Sequence, residues 1–103
     1  MYKNMLPIGS VVLLKGGNKR VMITGRILTK AGEEKIYDYS ACYYPEGIGA
    51  TDGTFFFDRD AIARLYFVGF QDEEELNLKK EILDKLGGLE VRNGEIVPIN
   101  SAE

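Results

Sequence analysis

The chain has 103 residues and a formal net charge of -3, from 13 basic and 16 acidic side chains. A chain of this length has no room for a second domain around a deep substrate cleft, so residues 1–103 are predicted to form a single domain. The chain contains no His and one Cys, which excludes imidazole ligands, an intramolecular disulfide framework and a multi-cysteine zinc site. The acidic total also gives no overall field that would attract a phosphate backbone.

Hydropathy gives no reason to expect contact with a membrane. No apolar run of secretory length follows the amino terminus, and no segment approaches the roughly 18 uninterrupted apolar residues of a spanning helix. We therefore expect no membrane insertion. A single Cys and the lack of an apolar leader indicate a reducing compartment.

Residues 8–70 form the β-rich part of the chain, in which apolar segments are separated by turn residues. In the second segment, Val21, Ile23 and Ile27 are expected on one face of a strand, with Thr24 and Arg26 on the other. The predicted strands are residues 10–15, 20–27, 36–44, 54–57 and 64–70.

Residues 72–86 are predicted to form one amphipathic helix. Asp72 followed by Glu75 is typical of an N-terminal capping box, and Gly87-Gly88 ends the helical pattern. Residues 89–98 are predicted to form a β-hairpin around the Asn93-Gly94 turn. The apolar residues that recur at helical spacing are Leu76, Leu78, Ile82, Leu83 and Leu86.

Together these elements predict an α+β fold. About five antiparallel strands form a meander curled into an SH3-like or half-barrel sheet, with the C-terminal amphipathic helix packed on it and a terminal hairpin. The segment from Pro45 to Gly53 is predicted to be the longest irregular loop, and loops of this kind often carry function.

Aromatic residues are concentrated in one part of the chain. All eleven Phe and Tyr residues except Tyr2 lie between Tyr37 and Phe70. Each aromatic side chain can bury roughly 150–250 Å², which is more than one sheet and one helix easily cover on one side. Two interpretations remain open: the helix and the hairpin close the second face of the sheet, or part of the aromatic surface binds another protein.

The residues that could carry chemistry also have simpler structural interpretations. Without a His to activate it, Cys42 is expected to be a buried thiol. Asp58, near Asp52 and Asp60, lacks the spacing of a calcium loop and is expected to cap a short helical turn. We therefore predict that the protein is not an enzyme and that it has no cofactor and no metal site. Five cations are expected to form a solvated edge, which disfavours nucleic acid as a partner: Lys15, Lys19, Arg20, Arg26 and Lys30.

Five blocks of sequence occur in an order that resembles a known family. They are Leu6 to Gly17, Met22 to Arg26, Tyr37 to Tyr39 with Tyr44 to Gly47, Phe55 to Asp58 with Asp60 to Ile62, and Phe67 to Glu74. In this order they resemble the domain-of-unknown-function family DUF4176, small proteins of Gram-positive bacteria encoded beside LXG toxins of the type VIIb secretion system. The resemblance extends over residues 6–86.

The resemblance implies a non-enzymatic accessory protein, a cytoplasmic chaperone or targeting factor that binds a cognate toxin before export. It brings no catalytic or metal residues with it. On chemical grounds we expect the irregular loop and the adjoining Tyr-bearing strand to contact the toxin, because Tyr offers rigid amphipathic contacts at low entropic cost. The candidate contact residues are Tyr39, Tyr43, Tyr44, Pro45, Glu46, Gly47 and Phe56.

Two other functions remain open at this stage. An immunity protein would also be small, acidic and encoded beside a toxin, and it would neutralise that toxin. A small-barrel nucleic-acid binder would bind DNA or RNA with an affinity that falls steeply as salt rises. A homo-oligomer is compatible with each of these functions.

Overall fold

The computed structural model describes residues 2–49 and 53–99, so parts of the predicted 1–103 domain and of the Pro45–Gly53 loop, including Asp52, lie outside the described residues. Its main element is a five-stranded antiparallel sheet of order β4-β3-β2-β1-β5. The predicted α+β class, with a five-stranded sheet, a C-terminal helix and a hairpin, is confirmed. The strands are β1 (Val11–Leu14), β2 (Val21–Thr29), β3 (Ile36–Tyr43), β4 (Phe55–Phe57) and β5 (Ile62–Phe67).

The main hydrophobic core covers one face of this sheet. Directly opposed residues such as Val12 with Val21 and Ile23 with Ala41 place their side chains on the same face. The N-terminal segment and the segment that follows the helix cover this face and complete the core. The buried cluster consists of Tyr2, Met5, Val12, Val21, Ile23, Tyr39, Ala41, Phe57 and Leu83.

A β-bulge in β2 changes which face its later residues occupy. The pairing with β3 shifts between Ile23 and Gly25, so Thr24 is the extra residue. Beyond the bulge, Arg26 lies opposite Tyr39, which is a core residue. The predicted placement of Arg26 on the face opposite Ile23 was therefore wrong, because strict alternation assumes an unbulged strand.

The helix α1 (Glu73–Glu81) is shorter than the predicted 72–86. Asp72 caps it as expected, since its Oδ1 accepts a hydrogen bond from the Glu75 backbone N–H at 3.0 Å. A separate 3-10 turn, Leu83–Lys85, follows the helix. β6 (Leu89–Arg92) and β7 (Glu95–Pro98) then pair as a two-stranded hairpin. No helix in residues 2–49 and 53–99 is long and apolar enough to cross a membrane.

The predicted apolar stripe of the helix is mostly not buried. Leu83, in the 3-10 turn, belongs to the core and Leu86 packs against it. Leu76, Leu78 and Ile82 are exposed instead, and α1 contains no buried residue. The residues after the helix, and not the helix itself, therefore make the hydrophobic contact with the sheet.

A buried ion pair attaches α1 to the sheet. The guanidinium of Arg26 donates two hydrogen bonds to the Glu75 carboxylate, both at 2.8 Å, and a third to the Leu6 carbonyl oxygen at 3.3 Å. The two side chains retain only 9% and 12% of their exposure. Glu75 is thus used for a tertiary contact, where the sequence suggested a reciprocal helix cap.

Asp58 joins β3 to the end of β4. Its carboxylate accepts hydrogen bonds from the Asp38 backbone N–H at 3.0 Å and from the Lys35 ammonium at 2.9 Å. The 3-10 turn Arg59–Ala61 begins after Asp58, but the Asp58 side chain makes no cap hydrogen bond to that turn. The predicted helix cap is therefore replaced by a cross-link between neighbouring strands.

This cross-link makes a pH prediction. Burial alone would raise the pKa of the Asp58 carboxyl, but the hydrogen bonds from Lys35 and from the Asp38 N–H outweigh burial and lower the pKa below the ordinary 3.8. A lowered folded-state pKa contributes stability above the unfolded value, and this contribution is lost as pH falls through the folded value. We expect the stability difference between the wild type and Asp58→Asn to be largest at neutral pH and to shrink below about pH 4.

Urea unfolding at neutral and acidic pH measures this difference. Asp60→Asn, which removes an exposed carboxylate two residues further along the chain, is the matched control and is expected to show a much smaller difference at either pH. A stability difference for Asp58→Asn that stays constant with pH would contradict the role given to the carboxylate.

Candidate functional site

The structure separates the seven predicted contact residues into a buried, a half-buried and an exposed group. Tyr39 is 1% exposed and belongs to the core, where its hydroxyl accepts a hydrogen bond from the Leu6 backbone N–H at 2.9 Å. Burial raises the pKa of this phenol. Tyr39 cannot touch a partner of the folded protein, and we remove it from the candidate surface.

Three other predicted residues mainly support the sheet. Tyr43 packs edge-to-face on Phe55, with 4.7 Å between ring centroids, and Phe56 lies 5.7 Å from the ring of Tyr37. Gly47 donates its backbone N–H to the Tyr43 carbonyl oxygen at 2.8 Å. Tyr43, Phe56 and Gly47 are half-buried, so they contribute limited surface to any partner.

Tyr44, Pro45 and Glu46 are exposed, and Lys19 holds their loop to the adjoining hairpin. The Lys19 ammonium donates to the Tyr44 carbonyl oxygen at 2.7 Å and pairs with the Glu46 carboxylate at 2.9 Å. The hydrogen bond from Lys19 lowers the pKa of Glu46. The loop therefore presents the Tyr44 ring in a defined position beside β2.

A run of exposed apolar residues lies on β5 and just after it, and none of these residues was among the predicted contact residues. β5 pairs with β1 only, so it is one edge of the sheet within the described residues. Phe67 and Phe70 are the most exposed rings of this segment, at 60% and 78%. We call these residues the edge surface: Leu65, Tyr66, Phe67, Val68 and Phe70.

Two bulges shape the edge surface. The β1–β5 register shifts between Val11 and Val12, where Tyr66 is the extra residue, and again between Leu13 and Leu14, where it is Ala63. A bulge lets two consecutive side chains lie on the same side of a sheet. Tyr66 and Phe67 accordingly line one groove together with Val11. Strict alternation would have separated these two rings.

The groove formed beside Tyr66 and Phe67 has a volume of about 390 Å³, and we call it the aromatic groove. Its lining residues come from the N-terminal segment, from β1, β2 and β5, from the turn between β1 and β2, and from the loop after β3. They are Gly9, Val11, Arg20, Met22, Tyr44, Tyr66 and Phe67. Tyr44 is the one predicted contact residue that the structure brings into this groove.

One guanidinium group lines the aromatic groove, and a second lies beside the Tyr66 ring. The Arg20 guanidinium lies 5.2 Å from the Tyr66 ring centroid and 5.8 Å from that of Tyr44, and the Arg64 guanidinium lies 5.0 Å from the Tyr66 ring centroid. The salt bridges between described residues do not include Arg20 or Arg64. These cations are therefore available to an anionic group of a partner.

A second groove lies where the edge surface meets α1. It has a volume of about 620 Å³, and we call it the acidic groove because three carboxylates line it. Ile8 here and Gly9 in the aromatic groove are consecutive residues, which places the two grooves side by side. The lining residues are Ile8, Phe70, Asp72, Glu74, Glu75 and Leu78.

Gly69 fixes the segment between the two grooves. Its backbone N–H donates to the Ser10 hydroxyl at 2.9 Å, and that hydroxyl donates in turn to the Pro7 carbonyl oxygen at 2.8 Å. A Cβ at position 69 would lie 2.2 Å from the Ile8 carbonyl oxygen. Only glycine allows this close approach of two backbone segments.

We expect Gly69→Ala to lower the free energy of unfolding by about 2 kcal/mol, because the new methyl group overlaps backbone atoms that cannot rotate away. Gly87→Ala is the matched control, since a Cβ there meets no atom within 4 Å. Urea unfolding of both variants tests the difference. Equal stabilities would show that the Gly69 contact is not closely packed.

Cys42 is buried, as predicted, and is a free thiol. No cluster of three or more His, Cys, Asp or Glu side chains in residues 2–49 and 53–99 could hold a metal ion.

The fold and its surface define a small α+β module with an open antiparallel sheet, an apolar edge strand and a cation-bordered aromatic groove. The chain belongs to the DUF4176 family, because the family model described as Domain of unknown function (DUF4176) matches residues 5–78. This range includes every residue that lines the two grooves and ends within α1, before β6. No curated protein and no solved structure matches the chain.

Proposed function

We propose that this protein is a non-enzymatic accessory factor that binds a cognate LXG toxin in the cytoplasm, before the toxin is exported by type VIIb secretion. The edge surface carries the proposal, because natural proteins seldom leave a long apolar edge strand uncovered. The choice of an LXG toxin as the partner follows from the resemblance described above.

Binding can use both the backbone and the rings of the edge surface. A segment of the toxin adds to the free side of β5, while an apolar side chain of that segment enters the aromatic groove. Aromatic residues at such positions often provide most of the binding energy of an interface. Covering an aggregation-prone part of the toxin in this way would keep it competent for export.

Co-expression with the toxin encoded by the adjacent gene tests the proposal. A tagged copy of this protein is expected to retain the toxin through affinity purification and gel filtration, with a dissociation constant in the micromolar range or tighter. If the purified proteins form no complex at micromolar concentrations, the proposal is wrong.

An export assay distinguishes the accessory role from that of an immunity protein. With an inactivated toxin, deletion of the gene for this protein is expected to abolish toxin export, because a targeting factor acts whether or not the toxin is active. Normal export of the inactivated toxin, combined with killing of cells by the active toxin, would instead identify an immunity protein.

Single-stranded nucleic acid is the second candidate partner, and one observation favours it. Arg20 lies over the rings of Tyr44 and Tyr66, and combinations of cations and aromatic rings can bind phosphates and stack bases. The net charge of -3 opposes this candidate. Retention on single-stranded RNA or DNA that falls steeply as salt rises would support it.

A further inference from the structure

We infer that the part of the partner bound at β5 is an extended segment that carries a carboxylate side chain close to an apolar one. The inference rests on the proposed function, because it specifies which chemistry within the bound protein the edge surface recognises. It follows from three features of the described residues: the free strand edge, the aromatic groove and the two guanidinium groups.

The free edge favours an extended occupant. A segment in β conformation can pair its backbone with the outer side of β5 and direct alternate side chains to one face of the sheet. On that face, Tyr66 and Phe67 lie together beside Val11 because of the bulge in β5. An apolar side chain of the occupant would therefore contact two rings at once.

The guanidinium groups favour a carboxylate in the occupant. Arg20 and Arg64 both lie within 5.2 Å of the Tyr66 ring centroid, and Arg20 itself lines the aromatic groove, so both cations lie beside the Tyr66 ring that an occupant would contact. An arginine stacked on a ring keeps its N–H donors directed outward, and it binds carboxylates with good geometry. A carboxylate there would also be flanked by apolar surface, which strengthens the interaction.

Charge also favours one position for the carboxylate along β5. The acidic groove lies beyond Phe70, and Asp72 and Glu74 line it. An acidic side chain would be repelled at that end and attracted at the Arg20–Arg64 end. The carboxylate of the occupant is therefore expected at the Arg20–Arg64 end of β5, away from Phe70.

A second copy of this chain fits the edge less well. Pairing β5 with itself would place two Arg64 side chains on one short ladder, where like charges are separated by about a Debye length, roughly 10 Å, or less. A foreign segment with an acidic residue removes this repulsion. A homodimer that buries β5 is accordingly an outcome that would overturn the inference.

Selection from a phage-displayed library of random dodecapeptides tests the inference without the toxin. The wild type is expected to enrich peptides that carry Asp or Glu within a few residues of aliphatic or aromatic residues. Arg20→Glu combined with Arg64→Glu is expected to lose the acidic enrichment. Lys3→Glu combined with Lys80→Glu, which makes the same charge change at exposed positions outside both grooves, is the matched control and is expected to keep it.

Backbone pairing and charge can then be measured on one selected peptide. Two N-methylated versions of the peptide can be made, each modified at one of the two sets of alternate residues. We expect only one version to lose binding, because only every second residue of the peptide pairs its N–H with β5. The charge-reversed variant is expected to bind at least tenfold more weakly than the control variant. Arg20→Gln with Arg64→Gln, a milder change, is expected to shift affinity in the same direction.

Several results would overturn the inference: enrichment of no peptide, enrichment without acidic residues, equal affinity of the two charge-reversed proteins, or a homodimer that protects β5. The toxin provides an independent comparison. If the toxin binds the wild type and the Arg20→Glu, Arg64→Glu variant equally, this inference fails and the proposed function stands. If acidic peptides are selected but the toxin does not bind, the proposed function fails and the recognition chemistry stands.

Discussion

Replacing Phe67 by Asp is expected to weaken binding of the cognate toxin by on the order of 100-fold, as loss of a buried aromatic anchor costs about 2–4 kcal/mol. Phe67 is 60% exposed in the free protein and lines the aromatic groove beside Tyr66. An Asp side chain at this position removes the apolar contact with the toxin. It also places a charged carboxylate in a part of the interface that is otherwise apolar. Isothermal titration of the purified proteins measures the change.

Leu76→Asp is the matched control for this experiment. Leu76 is also an exposed apolar residue, but it lies on α1 and lines neither groove. The Leu76→Asp variant should bind the toxin with wild-type affinity. Thermal unfolding should show that the Phe67→Asp and Leu76→Asp variants both remain folded. A toxin affinity that Phe67→Asp leaves unchanged, or that Leu76→Asp lowers equally, would place the binding surface elsewhere.

The second large effect concerns stability. Arg26→Ala is expected to lower the free energy of unfolding by about 3 kcal/mol, because it leaves the Glu75 carboxylate buried without its partner. The variant also removes the hydrogen bond to the Leu6 carbonyl oxygen. Since this ion pair attaches α1 to the sheet, its loss should also alter the acidic groove. Urea unfolding measures the stability.

Two further variants separate the ion pair from general effects of mutation. Glu74→Gln removes an exposed carboxylate beside Glu75 and is expected to change stability by less than about 0.5 kcal/mol. Arg26→Met combined with Glu75→Leu replaces both charges by apolar side chains and should recover much of the lost stability. If Arg26→Ala were as stable as Glu74→Gln, the ion pair would have no role in holding α1.

The strands and the start of the helix could be predicted because their signals are local. Apolar runs bounded by Gly residues gave five strands, and Asp72 marked the first turn of α1. The end of the helix was less predictable. Leu83 and Leu86 continue the apolar spacing of a helix, but both follow the end of α1 at Glu81 and pack against the core from a tighter turn.

The candidate surface was predicted only in part, because side-chain direction depends on register. Tyr39 and Tyr44 look alike as strand tyrosines, yet one is buried in the core and the other lines the aromatic groove. Tyr66 and Phe67 were missed because a bulge, which the sequence does not mark, places both on one face. The signal that could have indicated them is the nearly continuous apolar run from Leu65 to Phe70 in a terminal strand of the sheet.

The central claim is that β5 is the strand to which the partner binds, and amide hydrogen exchange in the complex with the toxin tests it most directly. We expect the amides of Ile62–Phe67 to exchange more slowly in the complex than in the free protein, while those of Glu73–Glu81 exchange at unchanged rates. Slowed exchange confined to other segments, with β5 exchanging as in the free protein, would contradict the claim.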